Sequence, residues 1–140
     1  MPDRRPFDLK EGVTLNRVHP QLMAVAGYIA CRHMEVTGKR MVITSAARLG
    51  EKPSYHNPSW YKADGWCRAF DMRRWYFDSF RVLEKFVMWC KDELDVGALI
   101  EPEWMTPEQV EERGGLDSID PHVHWQIGSG NQLWIPTTLF

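Results

Sequence analysis

Two histidines stand one residue apart near the end of the chain, in the run Asp120-Pro121-His122-Val123-His124-Trp125-Gln126-Ile127. The run is apolar and β-prone, and on a strand residues i and i+2 share a face. His122 and His124 therefore sit side by side, with Val123 and Trp125 on the opposite face. Two imidazoles on one strand face suit a metal ligand and a neighbouring catalytic or orienting group. The chain has only five histidines, and His56 occupies a second suggestive setting, the loop run Ser54-Tyr55-His56. Asp71 and Arg48 add a carboxylate and a guanidinium further along the same candidate chemistry. Each has a plainer alternative: Arg48 as a loop arginine, His56 as a loop histidine, Asp71 as a partner of Arg73 or Arg74, and Asp120 as the turn residue before Pro121.

These groups need elements to hold them. Residues 1–16 read as an extended N-terminal arm, because Pro2, Pro6 and Gly12 block regular structure. A helix begins at Pro20, with Leu22, Val25, Ala26, Ile29 and Ala30 at helical spacing and Gly38 as its stop. His33 falls on this helix and reads as a surface residue. Met41-Val42-Ile43-Thr44 is a short buried-type strand, and residues 46–66 read as a long loop of the kind that carries function. Cys67 to Met72 is a second candidate strand. Tyr76 to Leu94 reads as a helix with a core stripe of Phe80, Leu83, Phe86, Val87, Cys90 and Leu94. Val96 to Ile100 is a strand. Thr106-Pro107-Glu108-Gln109 is a helix start with a capping box. The histidine strand follows, and residues 128–140 form an irregular tail. The tryptophans are assigned mainly to the core, with Trp60 and Trp66 as candidates to line a cleft. Together this is a single α+β domain over 1–140, with a small antiparallel sheet flanked by helices.

Composition removes several function classes. The 140 residues are 44% hydrophobic and 26% charged, as in globular rather than disordered chains. The net charge of −2 and the scatter of Lys and Arg among acids argue against a nucleic-acid partner. No apolar run approaches the roughly 20 residues of a membrane span. The polar start lacks the apolar core of a signal peptide, which points to synthesis in the cytoplasm. Cys31, Cys67 and Cys90 are odd in number and far apart, which favours free thiols in a reducing compartment.

The blocks Ile43-Thr44-Ser45-Ala46-Ala47-Arg48, then Ser54-Tyr55-His56 with Arg68-Ala69-Phe70-Asp71, then His122-Val123-His124 occur in a telling order. With Val18-His19-Pro20-Gln21-Leu22 ahead of them, they resemble the zinc peptidases that cleave D-alanyl-D-alanine or L-alanyl-D-glutamate bonds in peptidoglycan. That group shares its fold with the hedgehog signalling domain. The resemblance runs from about Val18 to Ile127. It implies a hedgehog/DD-peptidase-like fold, a Zn2+ cofactor held by His56, Asp71 and His124, and a peptidoglycan stem peptide as substrate. It also implies that Asp120 and His122 move protons, and that Arg48 binds substrate and stabilises the tetrahedral intermediate. A zinc ion with three protein ligands keeps a position open for water, and a permanently charged guanidinium suits an oxyanion. A small chain without a leader fits a bacteriophage lysin or virion component, acting at the cell wall.

The sequence also departs from the pattern. Fourteen residues lie between His56 and Asp71, more than the family's usual spacing, so either Asn57 to Trp66 contains a loop insertion or His56 is not the matching residue. Counting back by that spacing from Asp71 lands on Asp64, so Asp64 and His56 compete for the third ligand position. Cys67 stands where the family has glycine, and Ala46-Ala47 replaces Gly-Tyr. Which of the two bonds is cut, and the oligomeric state, stay open. A non-catalytic structural or binding module of the same fold is the alternative function, and a metal-free α+β domain is a third.

Overall fold

A computed structural model describes residues 5–48, 54–58 and 65–128. Strand β1 (Phe7–Leu9) leads to helix α1 (Pro20–Thr37), then strands β2 (Met41–Ser45) and β3 (Ala69–Met72). Helix α2 (Phe80–Leu94), strand β4 (Gly97–Glu101), helix α3 (Pro107–Glu112), a 3-10 turn at Leu116–Ser118 and strand β5 (His122–Gln126) complete the order. The fold is α+β, with one five-stranded sheet ordered β1-β2-β3-β5-β4. The sheet is mixed rather than antiparallel: β1 runs parallel to β2, and every other pairing is antiparallel. The expected N-terminal arm is therefore partly a strand, since Phe7 is fully buried at the sheet edge opposite Met41.

Local chemistry sets the helix bounds. His19 caps α1 by accepting from the Gln21 N–H through Nδ1, and Pro20 fills the first turn, where its missing N–H costs nothing. Gly38 ends the helix at φ 71°, a left-handed conformation that glycine adopts without strain. Helix α2 starts later than its hydrophobic pattern suggests. Ser79 caps it by accepting from Val82 N–H, so Tyr76 to Asp78 lie outside. Phe80 is exposed at that first turn rather than part of the core stripe. Helix α3 carries the expected capping box of Thr106 and Gln109.

Helices α1 and α2 cover one face of the sheet. Leu22, Ile29, Leu83, Phe86 and Val87 join Ile43, Phe70, Met72, Val123 and Trp125 in the core. The Trp125 ring stacks on Phe70 and meets Phe86 edge-on. His33 belongs to this interior and not to the surface. It is fully buried, its Nδ1 lies 2.9 Å from the Lys39 carbonyl, and its ring packs edge-on against Tyr76, Phe77 and Phe86. Those aromatic rings come from a distant segment, which a helical repeat cannot announce. Because side chains alternate along a strand, packing Val123 and Trp125 into the core turns His122 and His124 to the other face.

Candidate metal centre

Register assembles the site. Asp71 on β3 sits opposite His124 on β5, and Glu101 on β4 sits opposite His122. Directly opposed residues share a face, so the sheet presents Asp71, His124, His122 and Glu101 together. His56 arrives from the segment 54–58. Its N–H donates to Ser54 Oγ, its carbonyl accepts from Arg48 N–H, and Tyr55 O accepts from Arg68 N–H. These bonds lace the segment between the end of β2 and the start of β3.

His56, Asp71 and His124 are all buried and form a tight triangle. His56 Nε2 lies 3.1 Å from Asp71 Oδ1 and 3.2 Å from His124 Nδ1, and His124 Nδ1 lies 3.1 Å from Asp71 Oδ1. The outer ring atoms fix the tautomers. His56 Nδ1 donates to the Ala46 carbonyl at 2.7 Å, and His124 Nε2 donates to Gln126 Oε1 at 3.1 Å. Each ring, when neutral, then turns a lone pair toward Asp71. Asp71 is a carboxylate. Burial opposes its charge, but a proton on the His56 or His124 ring outweighs burial and holds it well below the ordinary range. With both rings neutral, two lone pairs and a carboxylate oxygen meet with no hydrogen between them. A proton on His56 would relieve this, yet burial pushes that ring below its ordinary value.

A cation resolves the conflict. Ligands about 2.0–2.1 Å from a tetrahedral ion stand roughly 3.3–3.4 Å apart, close to the edges of this triangle. The outer hydrogen bonds to Ala46 O and Gln126 Oε1 are the orienting partners that metal-bound imidazoles require. The group can hold a metal ion. Among the described residues His56, Asp71 and His124 form the one such cluster. Asp64 lies outside the described residues, and so does Trp60. Cys67 is no competitor: it is buried, contacts Ala69 O, and burial pushes its thiol up to about 11.

The other expected residues fall around this triangle. Arg48 Nη2 reaches 3.9 Å from Asp71 Oδ2, with most of its side chain in solvent. His122 Nε2 stands 3.6 Å from Asp71 Oδ1, outside the triangle but beside it. Asp120 has an exposed carboxylate on the wall of the adjoining cavity, and its main-chain carbonyl accepts from His122 Nδ1 at 2.7 Å. Trp66 packs edge-on against His19 instead of lining that cavity.

One residue of the site carries no sequence signal. Glu101, buried at the end of β4, places Oε2 2.9 Å from His122 Nε2. Its Oε1 lies 2.9 Å from Arg113 Nη2, an ion-pair contact outside hydrogen-bond alignment. With carbonyl and carboxylate acceptors on its two nitrogens, His122 is a doubly protonated ring. Burial opposes that charge, but the Glu101 hydrogen bond and the Asp71 and Glu101 charges raise its pKa to about 8. Burial likewise opposes the Glu101 charge, and His122 and Arg113 overcome it, holding Glu101 below its ordinary value.

Of these residues Asp71, His122 and Asp120 line a cavity of about 760 Å3, together with Thr44 and Ser45. No helix among the described residues is long and apolar enough to cross a membrane. Comparison of the chain with protein-family models, with curated proteins and with solved structures gives no match.

Proposed function

We propose that the chain is a zinc-dependent peptidase acting on peptidoglycan stem peptides, of the hedgehog/DD-peptidase-like type that its sequence blocks resemble. The observation that carries this is convergence. His56, Asp71 and His124 are separated by long stretches of chain and were singled out from local motifs, yet their ligand atoms meet within 3.2 Å. Arg48 and His122, from the same motifs, border that point. Two imidazoles and a carboxylate are a donor set that suits Zn2+ in hydrolytic sites.

When bound, such an ion supplies Lewis acidity toward water and toward a peptide carbonyl. The chain's own residues supply the rest. His122 holds a proton at Nε2, within reach of the cavity, and can hand it to a leaving amine. Glu101 acts through His122: it fixes the ring and keeps it charged, and is a positioning residue. Asp120 anchors the same ring through its main-chain carbonyl, and its exposed carboxylate faces the cavity. Arg48, extending from the end of β2, offers a cationic fork to a carbonyl oxygen bearing negative charge. The cavity is of the size that encloses a small peptide fragment.

A second reading has one observation in its favour. The ion would tie the segment 54–58 to the sheet, so it also fits a structural zinc in a non-catalytic module. Digestion of purified peptidoglycan separates the two. The peptidase releases new amino termini in the metal-loaded state, loses this on chelation, and loses it in His124→Ala. Stoichiometric metal binding without cleavage of any stem peptide would overturn the enzyme and leave the module.

A further inference from the structure

Beyond the metal ligands, the cavity wall is cationic. Lys10, Arg73, Arg74 and Arg113 line it, against the carboxylates of Asp71 and Asp120. Arg74 forks onto Glu103, and Arg113 pairs with Glu101. Arg73 meets no carboxylate among the described residues, and its Nε is buried without an acceptor. Its guanidinium instead lies over the Trp75 ring, 4.2 Å from the centroid, and Trp75 is 68% exposed. Stacking occupies a face of the guanidinium and leaves its donors in the plane, where their fork matches a carboxylate.

Position adds a measure of reach. The Arg73 N–H donates to Val42 O, so strand pairing continues past β3 and Arg73 shares the face of Asp71. Two extended residues span about 6.6 Å. An extended peptide bound with its reacting carbonyl near Asp71 brings a group one or two residues away to Arg73.

We propose that Arg73, stacked on Trp75 and supported by Lys10, is an anion subsite that selects peptides bearing a carboxylate one or two residues from the scissile bond. It deepens the peptidase reading of the metal centre and rests on it. Two sources offer this chemistry: a free C-terminal carboxylate, or the side chain of an acidic residue within the peptide.

Calorimetry on the zinc-loaded chain tests it with synthetic stem-peptide fragments in matched pairs. One pair has a free or an amidated C-terminus, and the other has glutamate or glutamine inside. Neutralising the recognised carboxylate is expected to weaken binding about ten- to a hundredfold, and the pair that responds identifies the source. Arg73→Gln is expected to abolish that discrimination, with metal stoichiometry unchanged. Arg73→Lys keeps the charge and loses the fork, so it retains only part of the discrimination and carries the test should Arg73→Gln fail to fold. Equal binding of charged and neutral peptides by the parent chain, or discrimination unchanged in both variants, would overturn the subsite. Arg73-dependent preference without any cleavage would leave the subsite standing and remove the peptidase, whereas cleavage without charge preference would do the reverse.

Discussion

In the cluster of His56, Asp71 and His124, three acceptors face one another across 3.1–3.2 Å. In the neighbouring cluster, Glu101 receives His122 on one oxygen and Arg113 on the other, each at 2.9 Å. Both lie on the same face of the sheet and both are built from histidine and a buried carboxylate. They differ in where the protons are. In the first set, with both rings neutral, two lone pairs and a carboxylate oxygen are turned toward one another, an arrangement that could hold a cation. The second set carries its own cations, the protonated side chains of His122 and Arg113. Lone pairs turned toward one another, more than the number of polar groups, distinguish a candidate metal site from a buried ion pair.

The contrast can be broken at several points. Asp71→Asn should cost more than about a hundredfold in metal affinity, since loss of a ligand exceeds the effect of losing an outer partner. Chelation should lower the melting temperature of the parent chain by about 10 °C, as expected when ion at a thousand times its Kd is removed. Asp71→Asn should show no such response to chelator in a thermal scan. Glu101→Gln should do the opposite. It leaves His122 without its counter-charge and should cost about 3 kcal/mol in urea unfolding, while the chain still binds one ion. Equal loss of metal in the two variants would erase the distinction.

The pH dependence of the metal-free chain sharpens it further. His122 is raised to about 8 in the folded state, so its contribution is fully present below its unfolded value near 6.5 and is lost as pH rises through 8. Glu101 is lowered, so its contribution is present above about 4.5 and is lost as pH falls through its folded value. Stability from this pair should therefore be flat between about pH 4.5 and 6.5, and then decline by about 2 kcal/mol toward alkaline pH. In Glu101→Gln the alkaline decline should shrink, since only the Asp71 charge and the Asp120 carbonyl then favour the charged ring. The smallest effect belongs to Arg113→Gln. That side chain is half exposed, and its loss should cost at most about 1 kcal/mol by chemical denaturation.

Much of this was legible wherever the signal is local. The start of α1 at Pro20 and its stop at Gly38, the capping box of α3 and the alternation of β5 depend on residues within a few positions, and each was read correctly. The sequence blocks also named all three residues of the triangle. What stayed hidden depends on distant partners. Phe7–Leu9 becomes a strand only because β2 lies beside it in parallel. His33 is buried only because aromatic rings from residues 76–86 close over it. Glu101 is an unremarkable acid at a strand end until β4 pairs with β5 and sets it opposite His122. Asp120, the acid nearest in sequence, offers His122 its carbonyl instead.

Diffraction from zinc-soaked crystals, with anomalous data collected at the zinc edge, tests the central claim most directly. One peak per chain is expected, within about 2.0–2.2 Å of His56 Nε2, Asp71 Oδ1 and His124 Nδ1, with His122 still on Glu101. A peak held through other atoms, or none at this triangle in zinc-saturated crystals, would contradict it.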